Sequence, residues 1–555
     1  MPVRSLLLFI ALAALSVAAY VGLSSLGGPI GFPLDDAWIH QTYARNLAES
    51  GQLAFVPGQP SAGSTSPLWT LLIAAGYKFN VDYRLWTYAL GALSLALCGW
   101  FAARLSLRLW PDRPRLAWAA GLLCLFEWHL CWAAASGMET LLFAALGLAL
   151  IERISPPPLK HAVSLRERGP GGEARDGAVF GALGGLLTVT RPEGVLLVAL
   201  SGLARLGSGV VSQPLSSGAV SRPLPLRPGL APSAPLRGWF PTTFAVASVA
   251  AFALLVAPAV WLNLQAGDAP FPNTFYAKQQ EYAAYFASFA AWLPRALDVI
   301  GAPFVGAQVL LAPGFALEAF DALRRLRDRS TWPRLLPIAW IAAHLAVYVA
   351  RLPVTYQHGR YLMPIVPAII VIGLHGSAAL LTSSAHTVAG SATREAQNPS
   401  SDSSRSWRLG GSSSSRFVRR LGIASLVAVA AAFWLVGAGA YRVDASVIEH
   451  EVVASARWID AHTPPDALIA AHDIGAIGYF ARRPLLDLAG LISPDVIPII
   501  RDEPALWTLL RARRADYLAA PPDFYTTLLA APELEQVFEG TSPFAPKHWL
   551  VFRID

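Results

Sequence analysis

Charge is scarce in this chain of 555 residues: 14% are Asp, Glu, Lys or Arg, against 54% that are hydrophobic. A water-soluble protein cannot cover its surface with so few polar groups, so the bilayer is the natural solvent. Cysteine is scarce too. Cys98, Cys124 and Cys131 fall inside apolar segments without metal-ligand spacing, which excludes a disulfide framework and a zinc site. A basic face is missing: the net charge of +7 is scattered among short loops, so no nucleic-acid partner is expected. No clear small-x-small cleavage site follows the apolar run that begins at Leu6, and that run reads as a retained first helix. An internal period of about 20 to 50 residues is also absent, which counts against a solenoid or a repeat-built transporter.

What is there instead is apolar length. Leu6–Leu26, Leu85–Leu107, Phe240–Leu264 and Leu421–Tyr441 can each cross about 30 Å of hydrocarbon at about 1.5 Å per residue. Arginine-rich, acid-poor loops near 104–115, 205–237 and 324–334 mark the cytoplasmic side. Segments 153–177, 206–238 and 383–420, rich in Pro, Gly, Ser or Arg, read as cytoplasmic linkers. With these loops inside, the N-terminus is cytoplasmic, about eleven helices cross the cell (inner) membrane, and a long first loop at 27–84 lies outside. Beyond Arg442 the composition becomes that of a soluble domain. Strand-like Ala467–Ala471, Leu485–Leu488 and Tyr517–Ala520 alternate with helical Ile474–Phe480 and Leu506–Arg513. The expected architecture is a polytopic α-helical membrane domain over 1–441 and a C-terminal extracytoplasmic α/β domain over 442–555.

The first outer loop holds the densest polar pattern. From Asp36, Ile39, Tyr43 and Leu47 recur every fourth residue opposite His40, Gln41, Arg45 and Glu49, and Gly51 supplies a stop. This predicts an amphipathic helix lying on the membrane surface. One aspartate at its start would serve as a cap, but Asp35 and Asp36 are two adjacent like charges, and capping needs only one. An activated hydroxyl, a cation or a partner arginine would make the pair useful. Downstream, Gly63–Ser66 offers backbone N–H and hydroxyl donors to an anion, and Ser66-Pro67 starts a helix carrying Trp69.

Asp35-Asp36-Ala37-Trp38-Ile39, Asn46-Leu47 and Gly63-Ser64-Thr65-Ser66-Pro67-Leu68-Trp69 together resemble the first-loop signature of GT-C fold glycosyltransferases that use polyprenyl-phosphate sugars, above all the bacterial terminal arabinofuranosyltransferase group. Ser136–Thr140, Arg191–Gly194, Pro272–Lys278, His358–Pro364 and Asp473–Tyr479 look like later blocks of that group, in the same order. The resemblance implies a first-loop aspartate, Asp35 or Asp36, as general base, a polyprenyl-phosphate-linked sugar as donor, inversion at the anomeric carbon, and a glycan, lipid or protein acceptor among membrane lipids. A departing lipid phosphate calls for cations, and Arg360, Lys278 and Arg191 are the candidates. Glu139, Arg191, Glu193 and Arg360 are too costly to leave in hydrocarbon and should face a polar cavity or one another. Tyr361, Asn273, Ser66, Trp69, His472 and Asp473 complete the expected substrate-binding set, with Asp473 and Asp487 also open to service as turn or cap residues. His40 and His358 rank low as catalysts. No cofactor is identified; adjacent carboxylates suit magnesium or manganese, but no third ligand is evident and no metal is assigned. The competing readings are a transporter or flippase of lipid-linked saccharides and a non-catalytic glycan-binding scaffold.

Overall fold

Apolar length decides which helices can cross a membrane. The computed structural model describes residues 1, 3–155, 170–209, 240–328, 332–395 and 411–555. Among them six helices are long and apolar enough to span: Arg4–Ser25, Tyr83–Leu109, Thr242–Gly267, Arg334–Arg351, Tyr356–Leu381 and Arg419–His462. Two bent pairs raise the number to eight, Pro114–Leu125 with Trp128–Ala135 at 49° and Phe289–Phe304 with Ala307–Arg324 at 87°. The sequence reading of about eleven counts further segments that fall short. Thr140–Ile154 and Gly194–Gly209 have 15 and 16 residues, and Pro170–Thr190 carries Glu173, Arg175 and Asp176 near its start. Of the three expected linkers, residues 156–169, 210–238 and 396–410 lie outside the described residues, and helices cover the flanks at 170–177, 206–209, 383–395 and 411–420.

Both bends have local causes. At the first, Glu127 caps the second helix, its carboxylate accepting the Leu130 N–H at 2.9 Å and meeting His129 at 2.9 Å and Gln308 at 2.6 Å. At the second, Gly306 takes φ 131°, a conformation closed to other residues. The two breaks face each other, with Gln308 Nε2 donating to Glu127 and the Trp128 indole N–H donating to the Val305 carbonyl at 2.9 Å.

The Asp36–Ser50 helix forms as its pattern predicts and ends at Gly51, whose left-handed backbone donates to the Leu47 carbonyl at 3.0 Å. It does not lie on the membrane surface. His40, Gln41 and Arg45 on its polar face are as buried as Ile39 and Tyr43 on the other. The distal domain covers that face: Arg45 Nη1 donates to the Tyr479 carbonyl at 2.6 Å, and Trp38 packs on Tyr479 and Phe480 at ring separations of 5.1 and 4.8 Å. An amphipathic pattern tells which face is polar, not whether solvent or a second domain meets it.

Residues 469–554 build a five-stranded sheet in the order β2-β1-β3-β5-β4, with β1 Ile469–Ala471, β2 Leu485–Asp487, β3 Tyr517–Ala520, β4 Leu534–Glu539 and β5 Leu550–Ile554. The first three strands in that order run parallel and the last two pair antiparallel. A single rod connects sheet and membrane, because the helix Gly411–Val447 continues through a π-helical stretch, Ile448–Val453, into Ala454–His462. Glu451 in the π stretch pins the sheet by accepting the Ser542 and Trp549 N–H groups, each at 2.6 Å.

Candidate active site

A cavity of about 360 Å³ lies between the first loop, the membrane helices and the carboxyl end of β1. Asp35 and Asp36 enter it at the start of the Asp36–Ser50 helix, and neither side chain caps that helix. The two point to different partners. Asp35 Oδ1 and Oδ2 accept the N–H groups of Ala476 and Gly475, each at 2.7 Å, in the distal domain. Gly475 is required there, since a Cβ would collide with the Asp35 carbonyl and carboxylate. Asp36 pairs with Arg360 Nη2.

Arg360 is 4% exposed, and its Nη2 also donates to the Tyr361 hydroxyl at 3.1 Å, while Nε and Nη1 have no hydrogen-bond partner among the described residues. A buried guanidinium with two idle donors beside a cavity can receive an anion. Arg191 is held differently. Its Nε meets Glu193 at 2.7 Å, its Nη2 donates to the Tyr348 hydroxyl at 2.9 Å, and its Nη1 lies 3.5 Å from Glu139. Glu139 in turn faces His40 at 3.3 Å. The Tyr361 ring sits between the cations, 5.0 Å from Arg191 and 4.9 Å from Arg360, and stacks on Tyr348. Its π faces offset the repulsion of two nearby guanidinium groups. Lys278 joins from the Asn273–Glu281 helix, paired with Glu281 at 2.8 Å, and Arg501 lies 3.7 Å from that glutamate.

Electrostatics separate the carboxylates. Burial would raise Asp36, but Arg360 and Lys278 outweigh it and hold the group below the usual carboxylate range. Asp35 is pushed up to about 7, chiefly by burial and further by the Asp36 charge, against the lowering effect of the two backbone donors. Asp473 is raised by burial and by Asp35 and Asp36. His472 is lowered to about 3 by burial and by Lys278 and Arg501, so its imidazole is neutral, and Nδ1 meets the Tyr525 hydroxyl at 2.9 Å. Burial would lower Lys278, but Glu281 and the nearby tyrosines outweigh it and keep the ammonium above its ordinary value.

Of the residues expected from the sequence, Asp35, Asp36, Glu139, Arg191, Glu193, Lys278, Arg360, Tyr361, His472 and Asp473 all line the cavity. Three do not. The Asn273 side chain is buried and donates to the Leu491 carbonyl at 3.1 Å, and Trp69 Nε1 donates to the Gly137 carbonyl at 2.8 Å. Ser66 is buried, and its hydroxyl has no partner among the described residues. Asn273 and Trp69 stitch loops together; in the Gly63–Ser66 stretch it is Gly63 and Thr65 that reach the cavity. Asp487, raised to about 6 by burial, accepts the Ala489 and Ile492 N–H groups at 2.8 Å and shapes the loop that carries Leu491. Tyr348, which lines the cavity, and Glu281, the partner of Lys278, are residues that sequence reasoning misses, while His40, ranked low as a catalyst, does line the cavity beside Glu139. Glu281, three residues after Lys278 on one helix, carries the signal of an ion-pair partner, whereas nothing local marks Tyr348.

Among the described residues no group of three or more His, Cys, Asp or Glu is placed to hold a metal ion. Both Asp35 oxygens already accept backbone N–H groups and Asp36 is paired with Arg360, so the pair is not a ready ligand set for magnesium or manganese.

Solved membrane enzymes share this fold. ArnT from Cupriavidus metallidurans bound to undecaprenyl phosphate aligns over 100% of this chain and 98% of its own, at 15% identity and a TM-score of 0.55. The oligosaccharyltransferase AglB from Archaeoglobus fulgidus, in complex with an inhibitory peptide and a dolichol-phosphate, aligns over 93% of this chain and 69% of its own, at 13% identity and a TM-score of 0.53. The chain therefore has the GT-C fold. Residues 441–552 match a family model described as a domain of unknown function, DUF8728. No curated protein sequence matches.

Proposed function

We propose that this protein is a membrane glycosyltransferase that moves a sugar from a polyprenyl phosphate to an acceptor hydroxyl on the extracytoplasmic side. The observation that carries the reading is the Asp36–Arg360 pair, in which one guanidinium is bonded to a carboxylate and keeps two donors free in the same cavity. Asp36 is the general base: held ionised, it takes the acceptor proton as that oxygen attacks the anomeric carbon. The bond between that carbon and the phosphate oxygen breaks, and the phosphate leaves as an anion held by Arg360 Nε and Nη1 and by Lys278. It needs no general acid. Attack from the side opposite the phosphate inverts the sugar. The undecaprenyl phosphate bound to ArnT and the dolichol-phosphate in complex with AglB support this donor class. The N-terminus is cytoplasmic in this reading, and the sheet domain sits outside and presents the acceptor through Asp473 and neutral His472.

Purified protein in lipid nanodiscs, given polyprenyl-phosphate pentoses and hexoses and a crude envelope glycan fraction, should release polyprenyl phosphate and label the glycan. Release that is unchanged in both Asp36→Ala and Arg360→Ala would sink the assignment.

A further inference from the structure

Arg360 reaches Asp36 from an unusual piece of backbone. Gln357, His358 and Gly359 have φ of 54°, 58° and 69°, three consecutive left-handed residues inside a segment otherwise apolar and long enough to span the membrane. L-residues avoid that conformation because Cβ crowds the following carbonyl, and glycine alone adopts it freely. Two of the three are not glycine, so something outside the turn must hold it. The Gly359 N–H bonds to the Thr355 carbonyl at 2.9 Å, which closes the turn but does not select its hand.

The His358 side chain does. Its Nε2 meets Asp444 Oδ2 at 2.7 Å, and the same oxygen accepts the Trp132 indole N–H at 2.9 Å. Its ring stands edge-on to Trp128 and Trp132 at 5.5 and 5.4 Å. Asp444 belongs to the helix that continues to the distal sheet, and Trp128 and Trp132 to the short helix after the Glu127 bend. None of these four side chains lines the cavity. We propose that His358 and Asp444 are positioning residues: they clamp the left-handed turn and thereby set the guanidinium of Arg360 against Asp36 with Nε and Nη1 free for a phosphate. The proposal rests on the reading of Arg360 as the anion-holding residue. In a right-handed turn residue 360 would leave the helix start at a different angle, and its side chain would no longer meet Asp36.

Two measurements on the full chain in nanodiscs test this, one of them independent of any activity. Hydrogen exchange of the 355–362 peptide should speed up at least tenfold in His358→Ala, less in Asp444→Asn, while the β3 peptide 517–520 stays protected as a folding control. Binding of undecaprenyl phosphate, the probe ligand, should weaken about tenfold or more in His358→Ala. His358→Gly, which accepts the left-handed backbone without a tether, should bind better than His358→Ala. Alanine at a left-handed position carries a strain that glycine escapes, so a loss caused by the missing ring alone, with the backbone unchanged, predicts equal binding by the two variants. The clamp is overturned if peptide 355–362 exchanges at the wild-type rate in both His358→Ala and Asp444→Asn, or if glycine at 358 binds no better than alanine. Should wild-type protein fail to bind undecaprenyl phosphate, the donor reading falls, and the exchange data still decide the clamp.

Discussion

The cavity has two walls with opposite electrostatic character. On the membrane side, Arg360, Arg191 and the nearby Lys278 are gathered around Tyr361, with carboxylates holding each cation. On the sheet side, burial keeps His472 neutral and raises Asp473 and Asp35. The first loop runs between them and gives one aspartate to each: Asp36 to the cations, Asp35 to the backbone of the sheet domain. Two neighbours of identical chemistry thus acquire different surroundings: a carboxylate beside a guanidinium is held ionised, whereas one clasped by backbone N–H groups ties two parts of the molecule together.

The sharpest way to break this contrast is to remove each aspartate in turn. Asp36→Ala should slow release of polyprenyl phosphate by about 10²–10⁴-fold, the usual cost of losing a general base, and should also lower the unfolding temperature because it leaves the buried Arg360 without its carboxylate. If Asp35→Asn abolished release in folded protein while Asp36→Asn did not, the two roles would have to be exchanged. Asp35→Ala should instead leave two buried N–H groups unpaired and cost about 2–5 kcal/mol, read as a lower unfolding temperature. Gly475→Ala, which drives the clasp apart from the other side, should lower it in the same way; wild-type stability in both variants would mean that the clasp contributes nothing. On the membrane wall, Tyr348→Phe removes a hydroxyl bonded to both Arg191 and Glu193. The expected effect is a rise of about three- to tenfold in KM for the lipid donor with kcat nearly constant, from a loss of about 1 kcal/mol; a fall in kcat alone would argue against ground-state binding there.

The sheet-side wall also predicts a dependence on pH. The Asp35 carboxyl titrates at about 7 in the folded protein against 3.8 ordinarily, so the native state keeps a proton that the unfolded chain sheds. Its contribution to stability is present below pH 3.8 and is lost as pH rises toward 7. The unfolding temperature of wild type should therefore fall more steeply than that of Asp35→Asn across this window, and parallel curves would contradict the raised value.

Much of the site is legible in the order of residues alone, and for one reason. A charge in an apolar chain is costly unless it has a partner, so Glu139, Arg191, Glu193 and Arg360 must gather around a polar space. Which charge meets which is not legible, since Asp36 and Arg360 lie 324 residues apart. The burial of the Asp36–Ser50 helix is hidden for the same reason: its polar face is covered by Tyr479 and its neighbours, residues far along the chain. Tyr348 escapes notice because a tyrosine near the end of an apolar helix commonly marks an interface, and only the fold turns this one inward. Helices with a charged start or fewer than 18 residues make the crossings hard to count.

The rod that joins membrane and sheet has a consequence for how far the site can reach. Along an α-helix each residue advances about 1.5 Å and turns about 100°, so the height and azimuth of the sheet above the bilayer are fixed by the number of residues in Gly411–His462. A π stretch amounts to one extra residue wound into such a helix, and Ile448–Val453 therefore works as a phase adjuster. Deleting a single residue there would swing Gly475 away from Asp35 without touching either one, much as a tooth removed from a gear leaves both wheels intact and out of mesh.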